Sequence, residues 1–381
     1  MFISIRQKVN ILFILIALLS LIIAASVLFT NASYYENLVH EDSETRLQQF
    51  ANDQISFKKL IGLTNAISIT NDNRIKKALR MKNKLWAKMS LSDISQNMQK
   101  DTPFNFIKVH IHTPDNHSFL RSWKLKINGD DLSNFRHDVV HINKTKIPIN
   151  AFQIGRDGLS LRSIIPVIDN DTQHLGSLEF MQSVDSIVHT FERKDSSFVL
   201  LVNQNTVKDR LNSKSKFDNF SNLPTFKNYF ISQKSYDKTF LNEAINIDFS
   251  LFETDGHILT SNYFYTTIPI KDYQNNQLGI ALIGKPLTYV NQAVNQMNKI
   301  IYLALITIII MSLALLISQV ITIKILVQNP LKEFQNGLIS FFNFLKSSDQ
   351  HVSKININTN DEFGQMSEVV NSNIQTSIIP I

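Results

Sequence analysis

Two stretches without a single charge constrain this chain more than anything else in it. Ile11 to Thr30 reads ILFILIALLSLIIAASVLFT, and Ile300 to Ile323 reads IIYLALITIIIMSLALLISQVITI. At about 1.5 Å per residue, either run wound as a helix spans the ~30 Å hydrocarbon core of a bilayer. The first exceeds the roughly 7–15 apolar residues of a signal-peptide core, so it reads as an uncleaved anchor, although Ala24, Ala25 and Ser26 offer small residues for cleavage. Arg6 and Lys8 precede the first run, Lys324 and Lys332 follow the second, and positive flanks stay inside. The expectation is a multi-pass protein of the bacterial inner membrane. Both termini would be cytoplasmic, with residues about 31–298 periplasmic or extracellular.

The large middle region must then fold outside. With 44% hydrophobic residues in 381, the chain can build two or three packed domains. The formal net charge of +6 is spread thinly, and no block of Lys and Arg with interleaved aromatics argues for nucleic acid. Cysteine is absent, which excludes disulfide frameworks and thiol chemistry.

Periodicity divides that region. Leu47, Phe50, Ala51, Ile55, Leu60, Ile61 and Ile67 recur near every third or fourth residue, as in a long amphipathic helix continuing the first span. From Phe104 the period becomes two. Ile107, Val109 and Ile111 alternate with Lys108, His110 and His112, and TPDNH supplies a turn. INAFQI, the turn GRDG and LSLRSIIPVI read as a second hairpin, and LGSLEFM as a closing strand, giving an α+β module with an antiparallel meander. Ser197 to Asn203, FETDGHILTS, TTIPI and LGIALIG repeat this pattern more weakly in a second, smaller module. Thr288 to Asn298 continues as helix into the second span. Beyond it Val327, Leu331, Phe334, Leu338, Phe341 and Leu345 form a heptad seam, and Phe363, Met366, Val370 and Ile374 a second one. One chain cannot bury both, so a parallel homodimer is expected.

These segments resemble a methyl-accepting chemotaxis receptor. Pro330 shortly after the second span, and Asp361-Glu362-Phe363-Gly364 opening the last helix, are similar to a HAMP domain, in which Pro330, Asp361, Glu362 and Gly364 would take part in signal relay. HSFLRSW, GDDLSNFR and GRDGLSLRSIIPV are similar to a double Cache sensor. The resemblance implies two PAS-like antiparallel-sheet modules outside the membrane, two transmembrane helices and a cytoplasmic HAMP helical bundle. The divisions are 1–9 cytoplasmic, 10–30 first span, 31–192 long helix with membrane-distal module, 193–298 proximal module, 299–323 second span and 324–378 HAMP. The chain stops at Ile381, where such receptors continue into a signalling hairpin, so a truncated receptor or fragment is expected. A chemotaxis kinase and adaptor would be partners only through a further signalling domain.

HIHTPDNHSFLRSW is the stretch most suggestive of a site. His110 and His112 share a strand face and could clasp a metal with His117. Local spacing fixes no further ligand, however, and imidazoles on the wetter face of a strand are commonly bland, so neither metal nor cofactor is expected. No paired-carboxylate, Ser-His-Asp or P-loop pattern argues for an enzyme. Arg121, Trp123 and Phe119 set a cationic fork beside an aromatic wall, suited to a carboxylate with an organic body. Arg136, Arg156 and Arg162 would converge on it. The competing structural reading pairs these arginines with Asp130, Asp131, Asp157 or Glu179. Among Cache sensors, R-x-W belongs to an amino-acid signature, but Lys124 stands where tyrosine is wanted. The expected ligand site is Arg121, Trp123, His110, His112, Arg136, Arg156 and Arg162, for a small carboxylate-bearing molecule. The expected function is a chemoreceptor. The alternatives are the sensory half of a histidine kinase or diguanylate cyclase, or a structural membrane protein whose outer domain binds a partner.

Overall fold

The computed structural model describes residues 5–101, 108–155, 158–169, 172–211, 220, 222–346 and 354–378. Contacts divide the chain into two compact units, Glu36–Val294, and Met1–Tyr35 with Asn295–Ile381.

In the first unit, the later part of α1 (Ile5–Thr70) is followed by α2 (Asn73–Arg80) and α3 (Lys84–Asp101). Asp72 caps α2 by accepting from the Arg74 backbone N–H at 2.7 Å. Then come β1 (Lys108–His112), β2 (Ser118–Arg121), α4 (His137–Thr145), β3 (Ile149–Gly155), β4 (Gly158–Ile168) and β5 (His174–Gln182). These strands form one antiparallel sheet in the order β2-β1-β5-β4-β3. Both expected hairpins are present, although residues 156–157 of the GRDG turn, and the Phe104 and Ile107 lead into β1, lie outside the described residues.

The expected meander is corrected at β5, which pairs with β1 and β4 in the sheet centre. Gly176 permits this: its φ is +139°, and a Cβ there would lie 2.1 Å from the His112 carbonyl oxygen. On one face of the sheet Val109, Ile111, Leu178, Phe180, Ile165 and Val167 pack with Ala66 and Ile69 of α1 and with Ile75, Leu79 and Leu91 of the two short helices. Along α1 the expected stripe holds at Leu47, Ala51 and Ile55, but Leu60 and Ile67 are exposed, and Ala66 and Ile69 turn inward.

The second module comprises α5 (Asp185–Glu192), β6 (Ser197–Asn203), α6 (Gln204–Leu211), β7 (Thr225–Phe226), β8 (Tyr229–Ile231), α7 (Lys238–Glu243), α8 (Leu251–Asp255), β9 (His257–Leu259), β10 (Tyr263–Lys271) and β11 (Gln277–Pro286). Its sheet order is β7-β8-β6-β11-β10-β9. The FETDGHILTS stretch is a strand only over β9. LFETD has no alternation of period two and winds as α8, which Gly256 ends at φ +72°. One apolar cluster joins the modules, from Leu47, Ala51 and Ile55 through Phe152, Ile154 and Leu161 to Phe198, Leu200 and Phe264.

The second unit holds the start of α1, most of α9 (Leu287–Ile323), a π-helical segment at Lys324–Gln328, α10 (Asn329–Lys346) and α11 (Glu362–Ile378). Two of its helices are long and apolar enough to cross a membrane, with side chains such as Leu19, Ile22, Leu303 and Ile310 exposed. The wide turns fall just before Pro330, whose ring lacks the N–H that an α-helical ladder needs there. The expected seam is split. Phe334 and Leu338 pack within the chain against Ile355, Ile357, Phe363 and Val370, while Val327, Leu331 and Leu345 stay exposed. Asp361 Oδ1 caps α11, accepting from the Phe363 and Gly364 N–H groups at 3.0 and 3.1 Å. Gly364 is required because a Cβ there would lie 1.7 Å from the Thr359 carbonyl oxygen. Pro380, at the end of the chain, lies outside the described residues.

Candidate functional site: a cavity and a buried charge cluster

The face of the first sheet opposite its helix-packed core carries polar side chains. Alternation along β1 sends His110 and His112 to this side, and the ladder sets Glu179 opposite His110 and Ser177 opposite His112. The expectation of a wet face is overturned. His110 is 3% and His112 0% exposed, because α4 covers this side through Ile142, which packs on Ile149, Ala151 and Ile164.

Glu179, fully buried, is the centre of the cluster. Its Oε1 accepts from Arg162 at 2.5 Å and from Arg136 at 3.0 Å, and Arg136 also grips Asp138 with two bonds of 2.9 Å. Burial alone would raise the Glu179 carboxyl, but Arg136 and Arg162 outweigh it and hold it well below the usual carboxylate range. Burial pushes His110 well below the ordinary histidine value, helped by His112 and opposed by Glu179, and it lowers His112 too. At neutral pH these directions leave Glu179 a carboxylate and both imidazoles neutral.

Beside it opens a cavity of about 1220 Å³ lined by His110, Arg121, Trp123, Arg136 and Arg162, and also by Lys58 of α1 and by Leu223, Ser232 and Lys234 of the second module. The two modules meet at its edge, where the Leu159 N–H donates to Ser232 Oγ at 3.0 Å. Five of the expected site residues thus share one wall. His112 lies behind it, and Arg156 lies outside the described residues.

The arginines are engaged within the protein. Arg121 holds Asp130 with bonds of 2.7 and 2.8 Å and also donates to the Ile127 carbonyl, so the structural reading of these residues is realised at Arg121, Arg136 and Arg162. Trp123 is not on the β2 face, since that strand ends at Arg121. It sits in the following turn with its ring edge-on to His110 at 5.9 Å. Its Nε1 is buried without a hydrogen-bond partner among the described residues.

Sequence reading missed Lys58, Lys108, Lys124 and Lys234, which also line the cavity; Asp185 is the one carboxylate among its described lining residues. Lys58 donates to Ser186 Oγ at 2.6 Å, and Lys108 lies over the Trp123 ring at 5.9 Å. These lysines are separated in sequence and carry no motif, so no local signal marked them.

Residues 40–290 match the family described as the double sensory domain of two-component sensor kinases, the third double-Cache type. The chain belongs to this double-Cache family. The match takes in both sheets, the cavity and the charge cluster of the double-Cache region. Solved structures resemble it at low identity. The ligand-binding domain of the Campylobacter jejuni chemoreceptor Tlp3, in complex with L-valine, is 11% identical with a TM-score of 0.40, over 68% of this chain and 98% of that one. The sensor domain of the V. cholerae histidine kinase DctB is 12% identical with a TM-score of 0.39, over 66% and 98%. The periplasmic domain of Vibrio cholerae LuxQ is 8% identical with a TM-score of 0.40, over 64% and 98%. A comparison with curated protein sequences gives no match.

Proposed function

We propose that this protein is a transmembrane chemoreceptor whose distal Cache module takes up a small anionic, carboxylate-bearing molecule on the outer side of the inner membrane. The observation that carries this is the unpartnered Trp123 indole N–H in a cavity wall whose described lysines outnumber its carboxylates. A donor and several cations at one wall suit a carboxylate, and the apolar lining, Phe57, Ile61 and Phe135 among it, suits an organic body. The arginines line the same wall but are held by Asp130, Asp138 and Glu179, and the lysines add further positive charge to it.

The relay is through a HAMP pair formed by α10 and α11, with both termini cytoplasmic. Its support is the split seam, the Asp361 cap and the close approach at Gly364. A second reading, the sensory half of a two-component histidine kinase, is favoured by the family's description. A diguanylate cyclase with the same front end is its variant. Ligand-dependent methylation and control of a chemotaxis kinase distinguish the chemoreceptor from both.

Calorimetry of the full chain in detergent against a panel of small mono- and dicarboxylates tests the uptake. Binding is expected, and Trp123→Phe should weaken it about tenfold or more, since a hydrogen bond to a charged group contributes about 1.5–3 kcal/mol. Absence of binding across the panel, or an unaltered affinity in Trp123→Phe, would remove the carboxylate reading.

A further inference from the structure

Two buried atoms of the charge cluster, His112 Nε2 and Glu179 Oε2, have no hydrogen-bond partner among the described residues, and with His110 Nδ1 beside them they make a set of the kind that ligates a transition metal. We propose that His110, His112 and Glu179 form a zinc-type divalent metal site, built across β1 and β5 behind the cavity wall.

The ladder creates the arrangement. His110 and His112 stand two residues apart on one face of β1, and Glu179 lies directly across from His110 on β5. Glu179 Oε2 is 3.4 Å from His110 Nδ1 and 3.5 Å from His112 Nε2, and ligand atoms from the three side chains lie within 4.8 Å of one another. Such separations exceed the hydrogen-bond range. The two Glu179 distances match the edge of a coordination tetrahedron, where bonds of about 2.0–2.1 Å hold neighbouring ligand atoms about 3.3–3.4 Å apart. His112 Nε2 and Glu179 Oε2 are buried and have no hydrogen-bond partner among the described residues.

The far sides of the same groups are held as metal ligands require. His110 Nε2 is 2.8 Å from Ser118 Oγ, and His112 Nδ1 is 3.0 Å from Ser177 Oγ, so both rings are oriented by hydroxyls behind them. Glu179 Oε1 is taken by Arg136 and Arg162, which leaves Oε2 to bind in monodentate fashion. The two guanidinium charges are balanced by Glu179 and Asp138, so the cluster offers a dication little net attraction. Its affinity comes from the imidazoles, which selects zinc-type ions over Mg²⁺ and Ca²⁺. Three protein ligands leave a fourth position for water or an anion.

His117, the third ligand considered from sequence, is not part of the site. Its Nδ1 contacts Asp115 at 3.2 Å, and its side chain is 42% exposed. It is therefore a control.

The test uses the tag-free full chain in detergent, stripped of metal, titrated calorimetrically with Zn²⁺ and with Mg²⁺. One Zn²⁺ per chain and no Mg²⁺ are expected, with a rise in melting temperature on adding Zn²⁺. His112→Ala should lose Zn²⁺ uptake, Ser177→Ala should weaken it about 10- to 100-fold, and His117→Ala should leave it unchanged. Because Glu179 also neutralises Arg136 and Arg162, histidine variants are used instead of Glu179 variants. Zinc-edge X-ray absorption of the unaltered chain decides even where a variant misfolds: two imidazole nitrogens per zinc are expected. No uptake by the unaltered chain, undiminished uptake by folded His112→Ala, or an oxygen-only shell would overturn the site.

Discussion

Glu179 shows how one buried charge can organise a sheet face. It joins β5 to β4 through Arg162 and to the start of α4 through Arg136. Glu179→Ala leaves Arg162 buried without a carboxylate, and should destabilise the sensor by about 3–5 kcal/mol in urea unfolding of the purified chain. Asp272 acts in the second module. Its Oδ1 accepts from the Gln274 and Asn276 N–H groups at 2.8 and 2.9 Å, and its Oδ2 pairs with Arg210 of α6. Burial would raise its pKa, but the Asn276 and Arg210 bonds outweigh it and lower it. A carboxylate depressed on folding contributes stability above its unfolded value of about 3.9, and loses it as pH falls through the folded value. Asp272→Asn should therefore cost stability at pH 7 and narrow the gap to the parent at lower pH, seen as converging urea midpoints. At this scale the sequence made His110, Arg121, Arg136 and Arg162 visible as residue types worth attention. It offered Asp130 and Glu179 as competing partners for the guanidinium groups without deciding between pairing and a free pocket, and it did not name Asp138, because strand register and the position of α4 bring Arg136, Arg162, Asp138 and Glu179 together.

Among the elements, the step from α10 to α11 depends on close backbone approach. Gly364→Ala forces a methyl group against the Thr359 carbonyl and should cost about 1–3 kcal/mol. Asp361→Ala removes the cap of α11 and should cost about 0.5–2 kcal/mol. Loss of helical circular dichroism on mild heating would report both. The exposed remainder of the seam, Val327, Leu331 and Leu345, leaves apolar surface open to the parallel homodimer expected from the sequence. A single cysteine at Leu331 should cross-link chain to chain in membranes.

For the whole molecule, residues of both Cache modules line the cavity, so a molecule bound there as proposed would touch both at once. A ligand that tightens the first sheet against Ser232 and Lys234 of the second module can favour one packing over another, which signalling demands. Ser232→Ala removes the polar link to Leu159. It should leave ligand affinity within about threefold while reducing the ligand-induced protection of the Leu159 amide in hydrogen exchange.

Some of this was fixed along the chain. Charge-free runs long enough for a bilayer, the period-two strands, and the Asp361 and Gly364 signals depend only on neighbours in sequence, and periodicity and capping report those directly. The central place of β5, the covering of His110 and His112 by α4, the gathering of Lys58, Lys108, Lys124 and Lys234 at one wall, and the meeting of Glu179 with both histidines were decided by tertiary structure. They join residues far apart in sequence, and only strand register and packing bring such residues within the few ångströms over which hydrogen bonds, ion pairs and metal coordination act.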